Sequence, residues 1–219
     1  MKLILPAKDG SVADCVLGFE TAAEYDRHRA HTNCFGATIG RVANRMANAE
    51  YTIDGVQTKV EVNASDKHHL HGGAIGWHRR KWESREIFNG VEFTYLSKDG
   101  DDQYSGSIIT NVRYTLNDNK LNCVFESRLV EGEWPKSSPI NLTNHTYFNL
   151  GGHTSKNGIL DHELQIHAYG FCPMDADSIP TKEIKSFEEV PSMDFRKEKE
   201  MQTAIKELGA ANGYSESEI

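Results

Sequence analysis

Turn signals at short intervals between β-prone runs constrain this chain more than any other feature. Asp54-Gly55 separates residues 50–53 from 56–62, Asn89-Gly90 separates 81–88 from 91–97, and Asn117-Asp118-Asn119 separates 107–116 from 120–129. Asp-Gly and Asn-Gly accept the left-handed backbone of tight hairpin turns, so each run predicts two antiparallel strands. A turn at Lys8-Asp9-Gly10 joins 1–5 to 13–19 in the same way. Within 120–129, Leu121, Cys123, Phe125 and Ser127 alternate with Asn122, Val124, Glu126 and Arg128, the period of a strand with one wet face. A further strand is expected over 140–150, closed by Gly151-Gly152, and another over 159–168 before a loop holding Pro173, Pro180 and Pro191. Helices are expected only at 20–29, short and polar, and at 198–208, ended by Gly209. With no βαβ alternation the expected fold class is all-β, a mostly antiparallel sandwich or barrel.

Composition removes several classes of function. The 219 residues carry 24 Lys+Arg against 32 Asp+Glu, a net charge of −8, and no dense basic run. Nucleic acid and anionic membrane surfaces are therefore excluded as partners. The apolar stretch at residues 3–7 is too short for a signal peptide, and no run reaches transmembrane length. Cys15, Cys34, Cys123 and Cys172 lie far apart without a C-x-x-C pair, which reads as reduced thiols in a cytoplasmic protein. Three Asn-x-Ser/Thr sequons, at Asn63, Asn141 and Asn144, carry no meaning in that compartment.

Three clusters could do chemistry. Asn141-Leu-Thr-Asn-His-Thr-Tyr-Phe-Asn-Leu150, read as one strand, presents Thr143, His145, Tyr147 and Asn149 on one face. Its other face, Asn144, Thr146, Phe148 and Leu150, is expected to anchor it. The bland alternative is a histidine satisfied by a backbone carbonyl. The second cluster is His68-His69-Leu70-His71-Gly72-Gly73 with Trp77-His78. His69 and His71 on one strand face would suit a metal, yet no carboxylate lies at a motif spacing and His68 points the other way. The competing reading gives His71, beside two glycines, a hydrogen bond to a ligand hydroxyl. The third cluster is Asn44-Arg45, a mixed donor-acceptor and a five-donor fork suited to sugar hydroxyls, or else a salt bridge steadying a loop.

Four motifs together resemble the aldose 1-epimerase (galactose mutarotase) family: Phe35-Gly-Ala-Thr-Ile-Gly-Arg-Val-Ala-Asn-Arg45, Leu70-His-Gly-Gly73, the 141–150 stretch, and Ile179-Pro-Thr-Lys-Glu-Ile184. The resemblance runs in order from residue 3 to 214. It implies a large β-sandwich, no cofactor, no metal, and a small aldose such as galactose or glucose as substrate. His145 matches the family's general acid, His71 a second active-site histidine, and Asn44 and Arg45 sugar-contacting positions. The implied reaction interconverts α and β anomers. One proton goes to the ring oxygen while another leaves the C1 hydroxyl, the ring opens, C1–C2 rotates, and the ring recloses. A histidine suits an acid working near neutral pH.

The match also implies what is missing. The family's catalytic glutamate lies in a region the resemblance does not reach, and Ser215 stands where a sugar-binding aspartate belongs. Met1 enters inside what is normally a later strand. The expectation is a single mutarotase-like domain over 1–214, without N-terminal strands and the C-terminal third, and a divergent tail at 215–219. Glu216 and Glu218 are expected to be solvated tail residues more than substitute bases. Loss of one general base costs about 10²–10⁴ in rate. A weak or inactive epimerase is therefore expected, with a non-catalytic sugar-binding fragment or pseudoenzyme as the alternative. The oligomeric state is left open.

Overall fold

The computed structural model describes residues 2–27, 34–132 and 137–211. Residues 28 and 29 of the expected first helix and the expected tail at 215–219 lie outside them. The chain divides into two compact units, Ala37–His145 and the pair of segments Met1–Gly36 with Thr146–Ile219. Strands dominate, and every pairing between named strands is antiparallel.

In the Ala37–His145 unit the hairpins fall at the turn signals, except that the turn expected at Asn89-Gly90 is formed by Phe88 and Asn89, with Gly90 already in the strand. Glu50–Ile53 pairs with Val56–Lys59 across Asp54 and Gly55, whose φ values of 52° and 78° are the left-handed settings a type I′ turn needs. Glu83–Ile87, Gly90–Ser97, Ile108–Asn117 and Lys120–Leu129 form a four-stranded meander in chain order. Along Lys120–Leu129 the residues from Cys123 onward alternate between half-buried and exposed, as the sequence alternation requires. On the sheet's polar side Glu92, buried, accepts from Arg85 Nε at 2.6 Å and Arg113 Nε at 2.5 Å, and Arg113 reaches Glu126 at 2.7 Å. A cross-strand charge ladder of this kind lets a buried carboxylate keep its ionisation. A small core packs Ala49, Val60 and Tyr104 against Val42, Met46 and Tyr51.

The unit of Met1–Gly36 and Thr146–Ile219 holds the hairpin Ile4–Pro6 with Val12–Asp14, an α-helix Ala22–Arg27, and the short pairs Glu163–Leu164 with Lys199–Glu200 and Gly170–Phe171 with Lys185–Ser186. An α-helix, Met201–Ala211, follows. Gly209 does not end it: the residue is buried inside the last turn. No helix among the described residues is long and apolar enough to cross a membrane, and the four cysteines are free thiols.

The expected strands at 140–150 and 159–168 are corrected. Only Thr143–Asn144 forms a strand pair within the first, with Thr38–Ile39, and only Glu163–Leu164 within the second. Asn141 bridges Val42 in parallel, and Phe148 bridges Val16. Partners that change this often prevent one continuous ladder, so the two-residue side-chain period does not persist. Phe148 and Leu150, expected as anchors, are 55% and 66% exposed.

Candidate functional site

Asn44, Arg45, His71 and His145 belong to the same unit, and two of them are tied together through the main chain. Arg45–Met46 pairs with His69–Leu70, opposing Arg45 to Leu70 and Met46 to His69. Just outside this short ladder both strands turn left-handed, at Asn44 (φ 62°) and His71 (φ 53°). Asparagine tolerates that region; for histidine it is unusual and needs support from neighbours. The support is reciprocal. The His71 N–H donates to the Asn44 carbonyl at 3.0 Å, and the Asn44 N–H donates to His71 Nδ1, also at 3.0 Å. Gly72 (φ 83°) follows directly, and a Cβ there would land on the Gly40 carbonyl.

The hydrogen bond from Asn44 settles the tautomer of His71. Nδ1 accepts from a main-chain N–H, so it carries no proton, and the neutral ring holds its proton on Nε2. Protonation of Nδ1 would break this bond. Burial holds His71 below the usual histidine range, and the positive fields of His145 and Arg45 act in the same direction. His71 is thus set as a neutral donor. Its ring stands perpendicular to that of His145, with centroids 5.4 Å apart. His145 comes into place because its N–H donates to the Ala37 carbonyl at 2.9 Å, next to the Thr143–Asn144 pairing. One residue earlier, the Asn144 amide donates to the Tyr114 hydroxyl at 2.9 Å and ties this segment to the four-stranded sheet.

Arg45 is half-buried, and its Nε has no hydrogen-bond partner among the described residues. The loop-steadying salt bridge considered for it is not formed there. The Asn44 side chain is exposed. The metal reading of His69 with His71 is also overturned on geometry. The strand ends at Leu70, so the two rings do not share a strand face. His69 is fully buried and both its nitrogens are engaged, Nδ1 with the Glu61 carbonyl at 2.6 Å and Nε2 with the Tyr104 hydroxyl at 2.7 Å.

Two residues given no role from sequence matter here. Arg41 is buried, and among the described residues its guanidinium hydrogen-bonds only neutral oxygens: Ser97 Oγ, Ser138 Oγ, and the carbonyls of Ser97, Ser105 and Lys98, at 2.9–3.3 Å. Burial lowers its pKa accordingly. Its place inside the motif Ile39-Gly-Arg-Val42, flanked by apolar side chains, was the available signal. His78 is the second. Its Nδ1 is buried without a hydrogen-bond partner among the described residues. Burial, Arg79, His71 and His145 press its pKa down to about 4, against a smaller opposing pull from Asp102. Three imidazoles therefore share one field. Asp102 braces their loop, accepting from the Gly76 N–H at 3.4 Å and from Arg80 at 3.1 Å.

An antiparallel β protein with two edge-to-face imidazoles beside the Asn44-Arg45 turn defines a class: one with a polar, hydrogen-bonding candidate site. Comparison with known proteins narrows the class. The family model "Aldose 1-epimerase" matches residues 2–217. Bovine galactose mutarotase is 38% identical over 207 residues, covering 94% of this chain and 57% of the bovine protein. Aldose 1-epimerase of Escherichia coli K12 is 36% identical over 197 residues, covering 89% and 54%. The crystal structure of a GalM/aldose epimerase homologue from C. elegans superposes with a TM-score of 0.82 at 33% identity, over 96% of this chain and 60% of that one. Galactose 1-epimerase from Lactobacillus acidophilus NCFM gives 0.75 at 27%, over 94% and 59%. The chain belongs to the aldose 1-epimerase family and has the galactose mutarotase fold. It spans a little over half the length of these relatives, 57% for the bovine protein.

Proposed function

We propose that this chain carries the acid side of an aldose 1-epimerase site acting on galactose, glucose or a similar aldose. His145 delivers a proton to the ring oxygen while solvent water takes the one leaving the C1 hydroxyl, the C1–ring oxygen bond breaks as the C1 carbonyl forms, and reversal of these transfers after rotation recloses the ring as the other anomer. His71 donates through Nε2–H to the sugar and takes no part in proton exchange. Asn44 and Arg45 bind hydroxyls, Arg45 with an Nε that bonds no described residue. No cofactor enters these steps. The observation that carries the reading is the perpendicular His71–His145 pair, one ring of which is fixed as a neutral donor by Asn44.

The four assigned groups supply an acid and three binding contacts, and no base. A single general base is worth about 10²–10⁴ in rate, or roughly 3–5 kcal/mol of barrier, so the isolated chain is expected to be a weak epimerase. The same imbalance favours a second reading, a sugar-binding protein without catalysis. Polarimetry of freshly dissolved α-D-galactose, with this chain and with His145→Ala at matched concentration, tests both. A rate above the spontaneous one that the substitution abolishes supports the epimerase. No excess rate in either protein, with galactose binding retained in both, supports the binding reading, and absence of both rate and binding refutes the site.

A further inference from the structure

We propose that the buried His69–Tyr104 pair is a positioning device for this site, setting the backbone in which Asn44 holds His71. The proposal rests on the epimerase reading above for its catalytic consequence, though not for its structural one. Glu61 O can only accept, so His69 Nδ1 carries the proton and donates to it at 2.6 Å. His69 Nε2 is then an acceptor, and the Tyr104 hydroxyl donates to it at 2.7 Å. Each ring atom has one role and the pair has one arrangement.

What rests on the phenol gives the pair its reach. Val42 and Met46, which flank Asn44-Arg45, pack against the cluster containing Tyr104. The Arg41 guanidinium lies 5.5 Å over its ring. Met46 pairs in register with His69, two residues before His71. Both strands beside the left-handed turns at Asn44 and His71 are thus referenced to one side chain, one through packing and the other through the hydroxyl. Around it lie Ala49 and Val60, a setting where apolar side chains would pack without any polar demand. A neutral buried hydrogen bond adds little net stability, while a broken one costs a great deal, so such a pair contributes direction more than energy.

The test is made on the full chain labelled with ¹⁵N-histidine, reading tautomers by long-range ¹H–¹⁵N correlation. Wild type should show His69 as Nδ1–H and His71 as Nε2–H. In Tyr104→Phe, His69 loses its donor, and a His71 Nδ1–H population of about a tenth or more should appear as the Asn44 bond loosens. Val112→Ala, a cavity in the sheet of the same unit, should lower Tm while leaving His71 unchanged, which separates positioning from general destabilisation. An unchanged His71 tautomer in Tyr104→Phe overturns the proposal. Under the epimerase reading kcat should also fall, on the order of 10–100-fold, as expected of misplaced groups, and by more than KM rises. A wild-type chain with neither activity nor sugar binding refutes the function and leaves the tautomer result standing. Should Tyr104→Phe fail to fold, hydrogen exchange in wild type decides. His69 Nδ1–H and Asn44 N–H should open together across sub-denaturing urea; Asn44 exchanging on the order of a hundredfold faster, and independently of urea, overturns the proposal.

Discussion

Acidification should destabilise this protein through His78, and by an amount that can be worked out in advance. In the unfolded chain its imidazole titrates near the ordinary 6.5, and in the folded one at about 4. Burial is the main cause, followed by the positive fields of Arg79 and His71; Asp102 pulls the other way, and His145 adds the smallest push downward. Between these values the unfolded state binds a proton that the folded state refuses, so lowering the pH favours unfolding. The contribution is fully present above 6.5 and is lost as the pH falls toward 4. At 1.36 kcal/mol per pKa unit, the displacement from 6.5 to about 4 is worth about 3 kcal/mol. Urea unfolding of wild type and His78→Gln at several pH values between 7.5 and 4 isolates it, because His69 and His71, also depressed by burial, remain in both proteins. Wild type should lose about 3 kcal/mol more than the variant over that range. Parallel stability curves for the two proteins would refute the reasoning, since the ring would then be protonated as easily folded as unfolded.

Other outcomes follow from single contacts. Gly72→Ala places a side chain at φ 83° and drives its Cβ onto the Gly40 carbonyl. The backbone strain alone is about 1–3 kcal/mol, and a lowered thermal midpoint together with weakened galactose binding should show it. Arg41→Lys cannot reproduce the fork that reaches Ser97, Ser105, Ser138 and Lys98. Buried oxygens left without donors should cost about 3 kcal/mol in urea denaturation, and a change within error would show that the fork is dispensable. His71 stays neutral below the usual histidine range. Calorimetric affinity for galactose should therefore hold steady from alkaline pH down through 6.5 and weaken only in more acidic solution. A loss centred at or above 6.5 contradicts the Asn44–His71 arrangement.

Local rules and contingent ones separate cleanly along this chain. In Asn89-Gly90 only Asn89 turns left-handed, and Gly90 opens the next strand opposite Ile87; Asp54-Gly55 carried its meaning in two residues, because left-handed turn chemistry is written in side-chain type. The stretch 140–150 did not. Its β-forming residues say "extended", while the pairing depends on Val42, Thr38–Ile39 and Val16, positions far away in sequence. Helix continuation through Gly209 was hidden for a similar reason, since tertiary packing overrode a weak local preference. At the site, the identities of Asn44, Arg45, His71 and His145 were legible from motif resemblance. The lock between Asn44 and His71 was not, because it requires a non-glycine residue with positive φ at both ends. Nor was the fate of His69: nothing in His68-His69-Leu70-His71 distinguishes a ring sealed between Glu61 and Tyr104 from one that could bind a ligand.

The four-stranded meander has a kinetic consequence. Its strands are joined in chain order by tight turns at 88–89 and 118–119 and by the loop 98–107, so each can zip onto its neighbour after closing only a small loop. The segment leading to His145 is different: it must find Thr38–Ile39, on the order of a hundred residues away in the chain, and long loops close at a higher entropic cost. The meander should therefore be the early part of the folding transition state and the histidine pair a late arrival. Substitutions in the Ile108–Asn117 strand should then slow refolding, whereas those at Thr38 or Thr143 should chiefly hasten unfolding.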